Sequence, residues 1–541
     1  MATHNNDRYG HQRPPPLVDQ CSCANVDEIR VEHMHIRWDV DFKRRIFDGS
    51  TTMTLHFWAP TQTLLLDVKD LIIKQVVEDN CALHFTTSPQ KHAQFGSKLQ
   101  ITLRKKHTAN TATTVTIHYR TTPTASALHW LDAKDTEDRA YPVVYSTCAP
   151  INARSLLPCM DTPGVKFTYS AEITVAWHNS VVMTALASKA PSVAPNGCNV
   201  HYFEQQTPIA TYLLGIAVGR LERRCLSNRC AVWAEPSVVE RAAHDCQQME
   251  QCVAECERML GAYEFVRHEL LFLTRSFPCG ADCMPCVTFM SPTVLTGEGR
   301  LNDDDFMPTL VAHNWTGKLV TPPTWQNQWL DEGIAFYLGR RLLGRLTSQR
   351  QREFSAQCKY ENDLEFFVKE QLGEQHPFTK LVLTSDGHEE AYPEQAVYCG
   401  ANPAAQFEKA HTMLFHVEQL IAKPEAIDAF FRGYIERFKY GVITSKEFVA
   451  FLLEWFPNEL AAVDWESWLH RPGMPPIKPS YDTTLMEECE KLRDLWLSAD
   501  ESTVNEIWPE TFSDLLPAQR AQFLSLLLKA VSQQLFLVAQ A

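Results

Sequence analysis

Residues 313–333 read HNWTGKLVTPPTWQNQWLDEG, a histidine and a carboxylate joined by a tryptophan-rich segment. His313 and Glu332 are separated by 18 residues. A pattern of apolar residues at helical spacing predicts a helix over Gln326–Leu343. The stretch therefore predicts that Glu332 lies on this helix and that His313 precedes it.

The composition is that of a large globular protein with an excess of acidic residues. A length of 541 residues predicts two to four domains. The net charge of −15 argues against a nucleic-acid partner, because phosphate binding needs a basic footprint. No apolar run approaches the roughly 20 residues of a membrane span, and the N-terminus shows no apolar signal-peptide core. We therefore expect a cytoplasmic protein with no membrane partner.

The 17 cysteines are interpreted as reduced thiols. An odd count in a long chain without a visible signal peptide does not indicate a disulfide framework. Cys283 and Cys286 have the spacing of one half of a zinc knuckle, but the sequence contains no matching second half. Unpaired cysteines behave as small buried hydrophobic residues, which agrees with a cytoplasmic location.

The character of the sequence changes several times along the chain. Residues 1–22 are rich in polar residues and proline and are predicted to be a disordered lead-in. Residues 23–224 alternate apolar and polar positions, which is typical of β-strands. Residues 225–470 mix helical and strand patterns. The four prolines of residues 471–481 predict a stiff linker, and residues 482–541 are helical in pattern.

Six stretches of the sequence carry a family resemblance. They read SLLPCMDTPGVKFTY (155–169), WTGKLVT (315–321), WLDEG (329–333), HPFTKL (376–381), VDWESW (463–468) and PPIKP (475–479). In order and spacing they resemble the leukotriene A4 hydrolase family of zinc aminopeptidases (gluzincin peptidases). The resemblance implies a multidomain α/β fold with an N-terminal β saddle, a thermolysin-like α/β catalytic-type domain and a truncated C-terminal α-helical domain.

The resemblance also implies a zinc site, which this sequence does not complete. Family members use two histidines one helical turn apart, a glutamate between them as general base, and a later glutamate. His313 fits the second histidine because of its spacing from Glu332. Thr309 then stands at the first histidine position and Leu310 at the general-base position. An alternative alignment makes His313 the first histidine and loses the other two residues. Either alignment leaves His313 and Glu332 as residual metal ligands.

The loop that holds the substrate's α-amino group in the family is also changed. Here it contains Gly280, Ala281, Asp282 and Cys283. Cys283 stands where the family has the carboxylate that binds the amine. Asp282 lies one residue away, and its side chain would leave the backbone in a different direction.

Further positions of the family pattern carry residues without the corresponding functional group. Phe407 replaces the tyrosine that donates a hydrogen bond to the developing oxyanion. Thr147 and Ala149 replace a glutamine pair that lines the amine subsite. Gly339 replaces a glutamate that supports the metal ligands. The resemblance therefore implies that each step of the chemistry has lost a residue.

These substitutions predict a pseudoenzyme that binds peptides or a protein partner and needs no cofactor. The alternative is an active zinc metalloaminopeptidase that recruits a nearby aspartate or cysteine as third ligand. A third hypothesis is a hydrolase that uses Cys283 as nucleophile, which would need a nearby base. The apolar segment Phe523–Val538 is predicted to associate with a partner or a second copy, because the resemblance implies further helices against it.

Overall fold

The computed structural model describes residues 17–90, 92–176, 178–278, 280–299, 304–383, 404–498, 512 and 515–540. The predicted multidomain α/β fold is confirmed. A β-rich N-terminal part precedes a mixed sheet with helices, and a helical segment follows. No helix of the described residues is long and apolar enough to cross a membrane.

The N-terminal part contains an eight-stranded, a four-stranded and a three-stranded sheet. Their strands are β1 (Ile29–Asp41), β2 (Ile46–Phe57), β3 (Thr61–Val68), β4 (Leu71–Glu78), β5 (Cys81–Ala82), β6 (His84–Pro89), β7 (Ser97–His107), β8 (Ala112–Thr121), β9 (Leu128–Leu131), β10 (Val143–Ser146), β11 (Lys166–Val175), β12 (Ser180–Met183), β13 (Leu186–Val193), β14 (Asn199–Ala210) and β15 (Ile216–Gly219). The large sheet has the order β13-β14-β11-β1-β2-β8-β4-β5, the four-stranded sheet β12-β15-β10-β9 and the three-stranded sheet β3-β7-β6. Buried and half-buried side chains alternate along these strands. In β2, Met53, Leu55 and Phe57 are buried, and Thr52, Thr54 and His56 are half-buried.

The disordered segment predicted over residues 1–22 extends too far at its C-terminal end. Residues 1–16 lie outside the described residues, but residues 17–22 pack on the N-terminal sheets. Cys21 is buried, and the hydroxyl of Ser22 donates to Asp67 at 2.5 Å. Because these contacts satisfy polar groups that a disordered segment would leave to water, the ordered part begins before residue 23.

The second part contains a five-stranded sheet of order β16-β17-β18-β20-β19. Its strands are β16 (Glu222–Cys225), β17 (Cys230–Ala234), β18 (His268–Phe272), β19 (Ala281–Cys283) and β20 (Val287–Met290). Strands β17, β18 and β20 are parallel, and β19 is an antiparallel edge strand. Strand β16 includes residues 222–224, so this sheet begins just before the predicted boundary at 224/225.

The helices follow in chain order. They are α1 (Pro236–Asp245), α2 (Met249–Leu260), α3 (Phe306–Ala312), α4 (Glu332–Leu346), α5 (Gln349–Lys359), α6 (Ala404–Ile421), α7 (Pro424–Phe438), α8 (Ser445–Trp455), α9 (Trp465–His470), α10 (Thr484–Ser498) and α11 (Pro517–Gln540). Short 3-10 turns occupy Ala93–Phe95, Ala133–Asp135, Ala153–Ser155, Thr211–Leu213, Pro292–Val294, Trp325–Leu330 and Pro377–Thr379, and π-helical turns extend α5 over Tyr360–Glu365 and Phe367–Leu372. The predicted linker 471–481 contains no helix or strand.

The single helix predicted over Gln326–Leu343 is wrong at its start. Residues Trp325–Leu330 form a 3-10 turn, and α4 begins only at Glu332. Asp331 lies at the junction, where the hydroxyl of Tyr212 is 3.1 Å from its Oδ2 atom. The 3-10 turn ends at Leu330 and α4 begins at Glu332, so Asp331 and Glu332 stand side by side at a helix start.

Buried ion pairs join α4, α5 and α6. Glu418 on α6 accepts hydrogen bonds from Tyr337 at 2.7 Å, from Arg341 and from Arg352. Burial by itself would raise the pKa of Glu418, but the hydrogen bonds and charge of Arg352, together with Arg341, outweigh it and lower the pKa to about 2. The stability that this pairing contributes is therefore present above the ordinary glutamate pKa and is lost as the pH falls through about 2.

We predict that Glu418→Gln lowers the free energy of unfolding by about 3 kcal/mol at neutral pH, because it removes the charge that three buried side chains share. The difference from the wild-type protein should shrink as the pH is lowered from about 5 towards 2. Glu454→Gln is the control, since Glu454 pairs with Arg437 on the exposed surface and such pairs contribute about 0–1 kcal/mol. Denaturant titrations across this pH range give both values, and a constant difference would contradict the prediction.

The C-terminal helix α11 packs through one side and exposes apolar residues on the other. Phe523 is fully buried in a cluster with Phe354, Met486 and Leu492. Leu528 is 69% exposed. The helix is therefore anchored to α5 and α10, and its predicted association with a partner stays a prediction.

We predict that Phe523→Ala lowers the free energy of unfolding by about 3–5 kcal/mol, since it empties the centre of this cluster. Leu528→Ala should change it by less than about 0.5 kcal/mol. Thermal and denaturant unfolding of both variants measures the difference. Equal effects would mean that α11 does not pack as described.

Candidate functional site

A cavity of about 1410 Å³ opens between the five-stranded sheet, helices α3 and α4, and the start of α11. Its walls contain Gly280, Ala281, Asp282, Cys283, Thr309, Leu310, His313, Lys318, Asp331, Glu332 and Ala149. Most of the candidate site residues therefore come together in one place, although they come from distant parts of the chain. Volumes of this size hold peptide-sized ligands.

His313 is held between two carboxylates on opposite sides of its ring. Its Nε2 atom is 2.8 Å from Oε2 of Glu332, and its Nδ1 atom is 3.3 Å from Oδ1 of Asp331. Burial alone would lower the pKa of His313, but the charges and hydrogen bonds of Glu332 and Asp331 raise it well above the ordinary value. Burial would likewise raise the pKa of Glu332, and His313 lowers it. The arrangement is that of an imidazolium bonded to two carboxylates.

Glycine at position 317 makes this arrangement possible. A Cβ atom at Gly317, whose φ is +86°, would lie 1.6 Å from Oδ1 of Asp331. The hydroxyl of Tyr212 donates to the carbonyl of Gly317 at 2.9 Å and fixes the same loop. Asp331 can reach Nδ1 of His313 only because the loop carries no side chain there.

A zinc ion in a protein needs donor atoms that converge on one point. His313, Asp331 and Glu332 each offer an atom within 4.8 Å of the others. The two carboxylates, however, face different nitrogens of one imidazole ring, and these point in divergent directions. Three converging ligands are the minimum of a catalytic zinc site, and Nε2 is here engaged with Glu332. The described side chains in this arrangement therefore do not form a three-ligand zinc site.

Helix α3 contributes no ligand from the positions that precede His313. The amide of His313 donates to the carbonyl of Thr309 at 3.0 Å, so Thr309 lies one helical turn before it. Leu310 is buried on the cavity wall. A hydroxyl and an aliphatic side chain occupy the places where a second imidazole and a carboxylate would face the cavity.

Helices α3 and α4 are in close backbone contact where Thr309 packs against Gly339. A Cβ atom at Gly339 would lie 2.2 Å from Oγ1 and 2.6 Å from Cα of Thr309. Next to it, the fully buried Arg340 donates to Glu408 on α6 at 2.6 Å and to Asp305, just before α3, at 2.8 Å. This fork holds α3 against α4, and no larger residue than glycine fits at position 339 without moving a helix.

The loop residues Ala281–Cys283 form the edge strand β19. Burial raises the pKa of Asp282 to about 6, although Lys318 opposes the shift. Burial also raises the pKa of the Cys283 thiol, with Lys318 and His313 opposing it. The sulfur of Cys283 lies 4.0 Å from the carbonyl oxygen of Leu310. A raised thiol pKa argues against Cys283 as a nucleophile, because the thiolate is the reactive form.

The remaining predicted positions differ in their relation to the cavity. Phe407 is buried, and its ring centroid lies 5.7 Å from that of Phe336, which lines the cavity. Ala149 lines the cavity directly, next to a cis peptide bond. Thr147 instead bonds through its hydroxyl to Nε2 of His129 at 2.6 Å. The side chain of Thr147, predicted to belong to the amine subsite, is therefore engaged with His129 and is not among the residues that line the cavity.

Comparisons with known proteins agree with this architecture. Residues 30–213 match the Peptidase M1 N-terminal domain, and residues 246–468 match the Peptidase family M1 domain. Leukotriene A-4 hydrolase of Xenopus laevis is 34% identical over 517 residues, which cover 95% of this chain and 83% of the relative. The chain belongs to the M1 peptidase family.

Two further M1 relatives support the assignment. Leucine aminopeptidase 2-1 of Meyerozyma guilliermondii is 32% identical, over 89% of this chain and 75% of the relative. The solved structure of yeast LTA4 hydrolase in complex with Bestatin has a TM-score of 0.85 at 29% identity, over 95% of this chain and 80% of that one. The resemblance stated from six sequence stretches is therefore confirmed at the level of the M1 family.

Three residues of this M1 site were not singled out from the sequence. They are Lys318 and Asp331 on the cavity wall and Tyr212, which bonds to the Gly317 loop. The signal for Asp331 and Lys318 was present, since both stand inside the stretches WLDEG and WTGKLVT. They were treated there as markers of the family and not as groups that face the cavity.

We predict that Gly339→Ala lowers the free energy of unfolding by at least about 2 kcal/mol, because the new methyl group overlaps the Thr309 backbone. Alanine normally stabilises a helix interior by about 0.5–1 kcal/mol relative to glycine. Gly344→Ala in the same helix is the control, since its nearest neighbours are side-chain atoms at 3.2 Å. Thermal unfolding that finds both variants equally stable would contradict the close approach of α3 and α4.

Proposed function

We propose that this M1 family member is a pseudoenzyme that binds peptides in its cleft and does not hydrolyse them. The observation that carries the proposal is the pairing of His313 Nε2 with Glu332, at 2.8 Å, next to a helix α3 without ligands. A hydrogen bond between the two residual ligand positions fills the place where a metal would join them. The cleft itself is retained at about 1410 Å³.

The rate losses expected from the missing catalytic groups favour complete loss of peptidase activity over reduced activity. A missing general base costs on the order of 10²–10⁴ in rate. A missing oxyanion donor costs on the order of 10²–10³. Leu310 and Phe407 have no group that performs either role, and in M1 peptidases the water nucleophile depends on zinc. The losses are not strictly additive, but all of them act in the same direction.

The proposed ligands are peptides, because relatives of this chain are aminopeptidases and the cavity still carries opposite charges. Asp282 and Lys318 lie on its walls. A protein partner that inserts its N-terminus into the cleft would present the same groups as a peptide. We further propose a cytoplasmic location, in agreement with the free cysteines among the described residues.

We predict that purified protein contains much less than one zinc ion per chain and shows no chelator-sensitive turnover of an aminoacyl-anilide. Elemental analysis and an absorbance assay, with and without added zinc, measure both quantities. A leucine aminopeptidase relative run in parallel shows that the assay detects activity. Stoichiometric zinc together with turnover that a chelator abolishes would contradict the proposal.

The alternative is an active zinc aminopeptidase with a recruited third ligand. It is favoured by one observation, the closeness of Asp331 to His313 and Glu332. Coordination would require one carboxylate to leave its present nitrogen and swing to the other side of the ring. His313→Ala distinguishes the two, because it should remove bound zinc only if this alternative holds.

A further inference from the structure

Lys318 is a charged side chain at the cavity wall with few partners. It is 1% exposed, and it lines the cavity beside Asp282, Cys283 and Glu332. Its hydrogen bond among the described residues is a long one, 3.5 Å from Nζ to Oδ1 of Asn314. An ammonium group has three donor hydrogens, and burying them without acceptors is costly.

A second buried lysine shows how this protein supplies hydrogen-bond acceptors to a buried ammonium group. Lys409 is also 1% exposed, and its Nζ atom donates to the carbonyls of Thr379, Arg471 and Gly473 at 2.9, 2.8 and 3.0 Å. All three of its hydrogens are used inside the fold. Lys409 therefore has a structural role, whereas Lys318 lies on the cavity wall with one long hydrogen bond among the described residues.

We propose that Lys318 binds the carbonyl oxygen of the first peptide bond of a peptide in the cleft. This inference rests on the proposed function, and it identifies the group that would hold the peptide where no metal does so. Burial lowers the pKa of Lys318, and the acidic groups around it oppose that shift. In its protonated form Lys318 donates a charge-assisted hydrogen bond, which is stronger than a neutral one. The residue acts in binding, and no bond of the peptide is broken.

Asp282 defines which end of the peptide lies here. It borders the same cavity, and its carboxyl group and the Lys318 ammonium are close enough to influence each other's charge state. The first residue of a peptide carries a cationic amine and a carbonyl oxygen a few ångströms apart. A carboxylate and a lysine amine on the wall of one cavity match those two groups in charge and donor type, which favours the N-terminus over an internal segment.

The test compares two ligands on two proteins. One ligand is the tripeptide Leu-Ala-Lys with a fluorescein on the lysine side chain. The other has an alkene in place of its first peptide bond, which keeps the shape and removes the carbonyl oxygen. Fluorescence polarisation should show that the wild-type protein binds the peptide roughly tenfold or more tightly than the alkene. Lys318→Met should bind both ligands equally, at the affinity of the alkene.

Lys409→Met is the matched control, because it removes a buried ammonium that does not face the ligand. It should lose thermal stability and keep the preference for the carbonyl ligand. If Lys318→Met does not fold, Lys318→Gln and the ligand pair on wild-type protein still decide the question. No preference for the carbonyl in wild type, or an unchanged preference in the Lys318 variants, overturns the role of Lys318 and leaves peptide binding standing. No binding of either ligand overturns the proposed function as well.

Discussion

The contact between the backbone of Thr309 and the bare Cα of Gly339 sets the geometry of the whole site. It lets α3 lie against α4 closer than any side chain at position 339 would allow. Arg340, the next residue, fixes the approach by joining Asp305 and Glu408 in a buried fork. Since protein interiors are close-packed, this contact and the fork of Arg340 fix the position of α3 against α4.

The electrostatics of the cavity follow from that packing. A zinc site gathers carboxylate and imidazole groups around a central positive charge. Here the basic groups come from the chain itself: His313, whose pKa the two carboxylates raise, and Lys318, whose pKa burial lowers against the opposing effect of nearby acidic groups. His313 is paired on both nitrogens, whereas Lys318 has one long hydrogen bond. The first therefore completes the fold, and the second is available to a ligand.

Part of this site was predictable from the sequence and part was not. The spacing of His313 from Glu332 and the identity of Thr309 and Leu310 were readable directly, because helical periodicity fixes which positions face together. Thr147 was assigned to the subsite from the resemblance alone, and its hydroxyl bonds to His129 instead. The break before Glu332 was missed because apolar residues at helical spacing continue across it.

The sequence by itself indicated the peptidase family and the order of its parts. These are properties of residue identity and local spacing. Only the tertiary structure decided which contacts the site residues make: the double pairing of His313, the glycine contact between two helices and the single long hydrogen bond of Lys318 among the described residues. The physical reason is that these features depend on distances between residues far apart in the chain, and such distances are set by packing.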